Sequence, residues 1–167
     1  MRLSSFILPA CLAMRAASAA ADCGEDYLPL FYCEFPERNA AVQLCRHTGP
    51  SDMPGLRYTY WADGTAELEF ATDDWIGFVR EPVQGIIGPG YGTAASNKGT
   101  YYGFLIDKNL MFFPQTTDQI APSPTPAVLE VYASLKDLQD DASGKPIARR
   151  VCDPSTIEVD NDNFGPG

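Results

Sequence analysis

One histidine, His47, stands in 167 residues, and basic side chains are few: 12 Lys and Arg face 22 Asp and Glu, for a net charge of −10. Ser-His-Asp or Cys-His catalysis would have to be built on that single imidazole, whose ordinary reading is an exposed residue at a hairpin end. The shortage of positive charge argues against nucleic acid and anionic lipid as partners and in favour of cationic ones. No stretch after the N-terminus approaches the 20 or so apolar residues that a membrane-spanning helix needs, so no transmembrane segment is expected. No two cysteines have Cys-x-x-Cys spacing, which argues against a zinc site. The glycines of Gly85-Ile86-Ile87-Gly88-Pro89-Gly90-Tyr91-Gly92 lack the Gly-Lys-Ser/Thr ending of a phosphate-binding loop and open no amphipathic helix; they read as backbone punctuation. Asp160-Asn161-Asp162-Asn163-Phe164-Gly165 starts like a calcium loop but has Phe164 at the fifth position and no twelfth ligand. No cofactor and no metal are therefore expected. Carboxylates are plentiful enough for a glycosidase-like pair, yet Glu67 and Glu69 alternate along one strand and read first as a solvated face.

What is present begins with Met1-Arg2, a mostly apolar stretch over residues 3–14, and small residues ending in Ala17-Ser18-Ala19-Ala20-Ala21. A basic start, a short apolar run and an Ala-x-Ala pattern make a secretory signal over residues 1–21, with cleavage after Ala19 or Ala21. Leu8-Pro9-Ala10-Cys11 imitates a lipoprotein box, but it would leave a leader of only ten residues. Removing residues 1–21 takes away Arg2 and Arg15 and no acid, so the remaining 146 residues carry 10 basic and 22 acidic side chains, a net charge of −12. They form one domain by length. Four cysteines are left, Cys23, Cys33, Cys45 and Cys152, an even number in an oxidising compartment, and two disulfides follow. Periplasmic or secreted is the expected location.

Along the chain, residues 28–35 and 41–46 are apolar, aromatic and β-prone around the turn Pro36-Glu37-Arg38-Asn39. A second hairpin joins residues 56–61 and 65–70 around Ala62-Asp63-Gly64. A three-residue turn with Gly64 left-handed pairs Tyr60 with Ala66, Tyr58 with Leu68 and Leu56 with Phe70, leaving Thr59 opposite Glu67 and Arg57 opposite Glu69. A two-residue turn on Asp63-Gly64 slips the register by one and sets the tyrosines against glutamates, so the hydrophobic pattern selects the longer turn. Residues 75–79 read as a strand. Residues 101–106 and 110–113 form a third hairpin candidate around Asp107-Lys108-Asn109, and residues 114–126, with four prolines, read as a linker or long loop. Residues 127–138 fit both a helix, through Val128, Val131, Tyr132 and Leu135, and a strand, through Ala127, Leu129, Val131, Ala133 and Leu135; the strand is favoured, turning back at residues 140–144 into 146–152. The acidic end, 154–167, reads as a flexible tail after a single β domain over 22–153. Short strands punctuated by turns, with no βαβ alternation and no internal repeat, predict an all-β fold, a small antiparallel barrel or sandwich with two disulfides.

Phe31-Tyr32-Cys33, the short turn, the strand ending at Cys45 and the strand with Leu56-Arg57-Tyr58-Thr59-Tyr60 resemble the bacterial periplasmic inhibitors of C-type lysozyme. The resemblance covers mainly residues 28–70 and the last strand, Arg149-Arg150-Val151-Cys152, whose cysteine takes the place of the family's closing cysteine. It implies a small antiparallel barrel and a loop inserted into a lysozyme cleft. The family's Ser-x-Ser-Gly-x-x-Tyr loop has its counterpart in Ala95-Ser96-Asn97-Lys98-Gly99-Thr100-Tyr101, with two residues between the serine and the glycine. About 25 extra residues precede this loop, and Cys23 and Cys45 have no family counterpart. Ser96, Lys98, Gly99 and Tyr101 become the candidate partner-binding residues. Phe31, Cys33 and Phe35 share one strand face while Cys45 lies opposite Val42 and Leu44, which disfavours a Cys33–Cys45 bridge. The closing cysteine of the family then implies Cys33–Cys152 with Cys23–Cys45.

The functional expectation is an acidic exported binding or inhibitory module, not an enzyme, whose partner is a cationic protein such as a lysozyme. A structural or small-ligand-binding envelope protein is the alternative. Oligomeric state is not legible.

Overall fold

The computed structural model describes residues 23–49, 54–80, 90–107, 127–140, 145–160 and 162–164. The expected leader, residues 110–113 and the proline-rich stretch 114–126 lie outside the described residues. Strands β1 (Tyr27–Phe35), β2 (Ala40–His47), β3 (Leu56–Ala62) and β4 (Thr65–Thr72) make an antiparallel meander. A two-residue strand, β10 (Glu158–Val159), completes this sheet on the other side of β1. The second sheet runs β5 (Trp75–Arg80), β6 (Gly90–Asn97), β7 (Thr100–Asp107), β8 (Ala127–Tyr132) and β9 (Ala148–Val151), again antiparallel throughout. Neither five-stranded sheet closes on itself, so the all-β expectation resolves to a sandwich and not a barrel.

Aromatic rings join the two layers. Phe104 on β7 lies 5.1 Å from Phe31 on β1 and 5.8 Å from Tyr58 on β3. Tyr102, two residues earlier on the same face, lies 4.9 Å from Tyr58 and 5.4 Å from Phe70. Because side chains alternate along a strand, Tyr101, Gly103 and Leu105 face the other way. That outer face is covered as well: Tyr101 packs with Ala94, Tyr132 and Leu138, and Leu105 with Val128. Both faces of β7 are thus buried, which is why residues 101–106 are apolar almost without interruption. Its two edges are taken by β6 and β8, so the hairpin that contains residues 101–106 is formed with β6, around Lys98-Gly99; Lys108 and Asn109 of the expected turn lie outside the described residues.

Gly92 opens room on that outer face. A Cβ there would lie 2.6 Å from the Phe104 carbonyl oxygen and 2.7 Å from the Phe78 ring. Phe78 therefore occupies the space that a side chain at position 92 would claim.

The β3–β4 hairpin corrects the expected register. Asp63 and Gly64 both have positive φ, 49° and 76°, and form the two-residue turn whose twist matches that of the flanking strands. The extra residue is Glu67, bulged out of β4, so that Tyr60 meets Leu68 and Tyr58 meets Phe70, while Thr59 faces Glu69 and Arg57 faces Ala71. The apolar and polar faces are those that the pattern demanded; the bulge sits in the strand and not in the turn. Tyr58 and Phe70 stack at 4.9 Å as a result.

Residues 127–138 divide between the two readings. β8 ends at Tyr132, and Ser134 then caps a single helical turn, α1 (Leu135–Gln139), with its Oγ accepting the Asp137 N–H at 3.1 Å. Leu138 is buried against the outer face of the second sheet, which the strand could not have reached. β9 returns beside β8 as expected.

Residues 154–160 and 162–164 differ from the expected free tail. Asp153 caps a 3₁₀ turn (Pro154–Thr156), and the N–H and hydroxyl of Ser155 hold its carboxyl below the usual range. The Asp153 N–H donates to the Glu34 carbonyl at 2.8 Å, β10 pairs with Phe31 and Tyr32, and the Asp160 N–H donates to Leu30 at 3.0 Å. Phe164 is buried in the main core. A polar stretch is held here because it supplies hydrogen bonds to the exposed side of β1 and one large ring to the end of the sandwich.

One of the two disulfides ties the layers. Cys33–Cys152 spans the two sheets with Cα atoms 5.6 Å apart, and Cys23–Cys45 fastens the chain ahead of β1 to β2 at 5.9 Å. Cys45 lies opposite Val42 and Leu44 in the pleat, and with Cys23 and Tyr27 it forms a separate cluster outside the main core.

Candidate functional site

Ser96, Lys98, Gly99 and Tyr101 meet at the β6–β7 turn, but they do not make a protruding loop. Asn97 pairs with Thr100, so the loop is the two residues Lys98 and Gly99, with φ of 51° and 83°. Glycine serves the second of these positions because no Cβ resists the left-handed conformation. Lys98 and Gly99 are exposed. Ser96 and Tyr101 pair across the ladder, both buried at 5% and 8% exposure. The Ser96 N–H donates to the Asp74 carbonyl at 2.8 Å, and the Tyr101 hydroxyl reaches the Asp74 carboxylate at 3.5 Å. A hairpin turn is all that is needed to reverse the chain here, and the flanking residues go to the ladder. The turn can present one ammonium and a close-approach glycine; Ser96, buried in the ladder, is not presented.

A second feature is acidic. β4 is the edge strand of its sheet, and Glu67 and Glu69 on it are exposed, as are Asp63 in the turn before it and Asp73 and Asp74 after it. Three of these acids also serve the fold: Asp63 accepts from Asn39 at 3.1 Å, Asp73 accepts the Gly55 N–H at 2.7 Å, and Asp74 is the acid reached by the Tyr101 hydroxyl. The acidic string reaches Asp74, directly beside the Lys98 turn. Charges on a free edge repel a like-charged strand and favour a cationic surface.

A third feature was not legible in the sequence. An open groove of about 410 Å³ lies where β2 ends, with Leu28, Arg46, His47, Asp160 and Asn163 in its wall. His47 is half-buried and not the exposed residue expected; its ring lies 5.1 Å from that of Tyr27, and its Nε2 has no hydrogen-bond partner among the described residues. Arg46 donates to the Asn163 side-chain oxygen, and Asn163 Nδ2 donates to Asp160 at 2.7 Å. The only signal for this site was the string Asp160-Asn161-Asp162-Asn163, which resembles a calcium loop; its carboxylate caps its own turn by accepting the Asp162 N–H at 3.1 Å.

Two acids are buried among the described residues, and both stand on the second sheet. Glu130 accepts from Arg149 at 3.2 Å and from the Tyr132 hydroxyl at 2.5 Å, and Asp107 is buried at the end of β7 opposite Gly90. Among the described residues no group of three His, Cys, Asp or Glu side chains is placed to hold a metal ion, and no helix is long and apolar enough to cross a membrane.

Comparison with models of known protein families, with characterised proteins and with solved structures returned no match.

Proposed function

We propose that this protein is an exported, non-catalytic binding module for a cationic protein, of the kind that the resemblance to lysozyme inhibitors implies. The observation that carries this reading is the acidic edge from Asp63 to Asp74, exposed on a strand whose outer side has no partner strand among the described residues, and reaching the Lys98-Gly99 turn at Asp74. Two disulfides and a small β-sandwich suit a periplasmic or secreted location, where thiols oxidise. The acidic edge steers the partner, and Lys98 with the backbone at Gly99 makes the close contact. Ser96 and Tyr101 keep the turn in place.

The test is a pull-down of the disulfide-bonded protein with a C-type lysozyme at low salt, followed by association kinetics. Retention of the lysozyme, an association rate that falls with added salt, and a fall of about ten-fold in that rate for the double variant Glu67→Lys, Glu69→Lys are expected. Lys98→Ala should mainly speed dissociation. Absence of binding at low salt removes the lysozyme reading.

A further inference from the structure

We infer that the groove at the end of β2 is a binding site for a free α-amino acid with an apolar side chain. The site goes beyond the protein-binding reading and uses none of its residues.

Two opposite charges share the groove without neutralising one another. Arg46 has five donors in its guanidinium and gives one to the neutral side-chain oxygen of Asn163. Asp160, with room for about four hydrogen bonds on its two oxygens, accepts from the Asp162 N–H and from Asn163 Nδ2. Neither group makes an ion pair among the described residues. The Asn163 amide stands between them, its oxygen to the cation and its nitrogen to the anion. One amide and two hydrogen bonds hold the guanidinium and the carboxylate within about 8 Å of each other.

That spacing suits a zwitterion. In an α-amino acid the ammonium and the carboxylate lie about 3 Å apart, and one hydrogen bond of about 2.8 Å on each side spans the same gap. A simple carboxylate would find Arg46 but be repelled by Asp160, and a simple amine would meet the reverse. Only a ligand carrying both charges gains at both ends, through charge-assisted hydrogen bonds stronger than those Asn163 supplies. His47 Nε2 is itself closed off from solvent, so the imidazole shapes the wall of the groove and is not counted among its polar contacts. It is kept in place by the Tyr27 ring and by Gly49, where a Cβ would lie 2.9 Å from that nitrogen. Leu28, 56% exposed, supplies the apolar surface for the ligand's side chain. The volume of about 410 Å³ is in the range of small-molecule sites.

The test uses L-leucine as probe, with 4-methylpentanoate, which lacks the ammonium, and 3-methylbutylamine, which lacks the carboxylate. Amide chemical shifts of the wild-type, disulfide-bonded protein are followed during each titration. Saturable shifts at Arg46, His47, Asp160 and Asn163 with L-leucine, and at least about ten-fold weaker binding of both analogues, are expected. Arg46→Gln and Asp160→Asn, checked for native circular dichroism, should each weaken L-leucine by about the same factor. Should either variant fail to fold, the wild-type shifts and the two analogues decide the matter alone. No saturable shift up to tens of millimolar, shifts confined to other parts of the protein, or analogues that bind as well as L-leucine overturn the inference.

Discussion

The ring of Phe164 lies 5.6 Å from that of Phe31, although 133 residues of chain separate them, and both side chains are buried in one core. The C-terminal turn that carries Phe164 is bound to β1 and Arg46 by hydrogen bonds, so the ring closes the end of the sandwich. Truncating it leaves a cavity beside Phe31. Phe164→Ala is expected to lower unfolding free energy by about 3 kcal/mol in denaturant titration. A loss under about 0.5 kcal/mol is what a free tail would give.

The two disulfides close loops of very different length, with sequence separations of 119 and 22 residues. In the chain-entropy account the longer loop matters more, by roughly 1–2 kcal/mol. The pair Cys33→Ala, Cys152→Ala should therefore unfold at lower denaturant than the pair Cys23→Ala, Cys45→Ala. Non-reducing peptide mapping should recover Cys33 joined to Cys152; a Cys33–Cys45 peptide contradicts the fold.

Burial pushes the Tyr58 phenol well above its ordinary range, helped by the neighbouring Tyr102 and Tyr60, and burial raises Tyr102 too. The folded state thus keeps protons that the unfolded chain releases above about pH 10. The stability held by these two tyrosines is complete below that pH and is lost as pH rises from there through their folded values. Ultraviolet titration of tyrosinate should show a late fraction that appears together with unfolding. Tyr58→Phe should flatten the alkaline loss, and full ionisation of every tyrosine with the fold intact contradicts the packing between the sheets.

Two glycines separate crowding from backbone strain. Gly92→Ala drives a methyl to within 2.6 Å of a backbone carbonyl and should cost about 3 kcal/mol or prevent folding. Gly99→Ala meets no atom within 4 Å and suffers only from its φ of 83°, at a cost of about 1 kcal/mol. Thermal unfolding of the two variants ranks them, and equal losses would falsify this division.

Much of this protein was legible because a strand has a period of two and a cysteine bridge needs a shared face. Alternation alone assigned Tyr58, Tyr60, Leu68 and Phe70 to the core and Glu67 and Glu69 to solvent, and the same reasoning kept Cys33 from Cys45. The place of the bulge was not legible, because a residue looped out at Glu67 and a longer turn restore the same faces; twist at Asp63-Gly64 decided between them. The chain beyond Tyr132 was ambiguous for a related reason. Its apolar residues fit both periods, and the helix won once Ser134 supplied the cap and the outer face of the second sheet took Leu138. The acidic end looks soluble and free in composition, since composition does not register that β1 has an unpaired side or that the core has an open end for Phe164. Nor does local pattern join Leu28, Arg46 and Asp160, which become neighbours only when β1, β2 and the last turn dock. Periodicity acts within a segment and can be read there; a groove depends on where segments distant in the chain come together, and only the packed fold determines that.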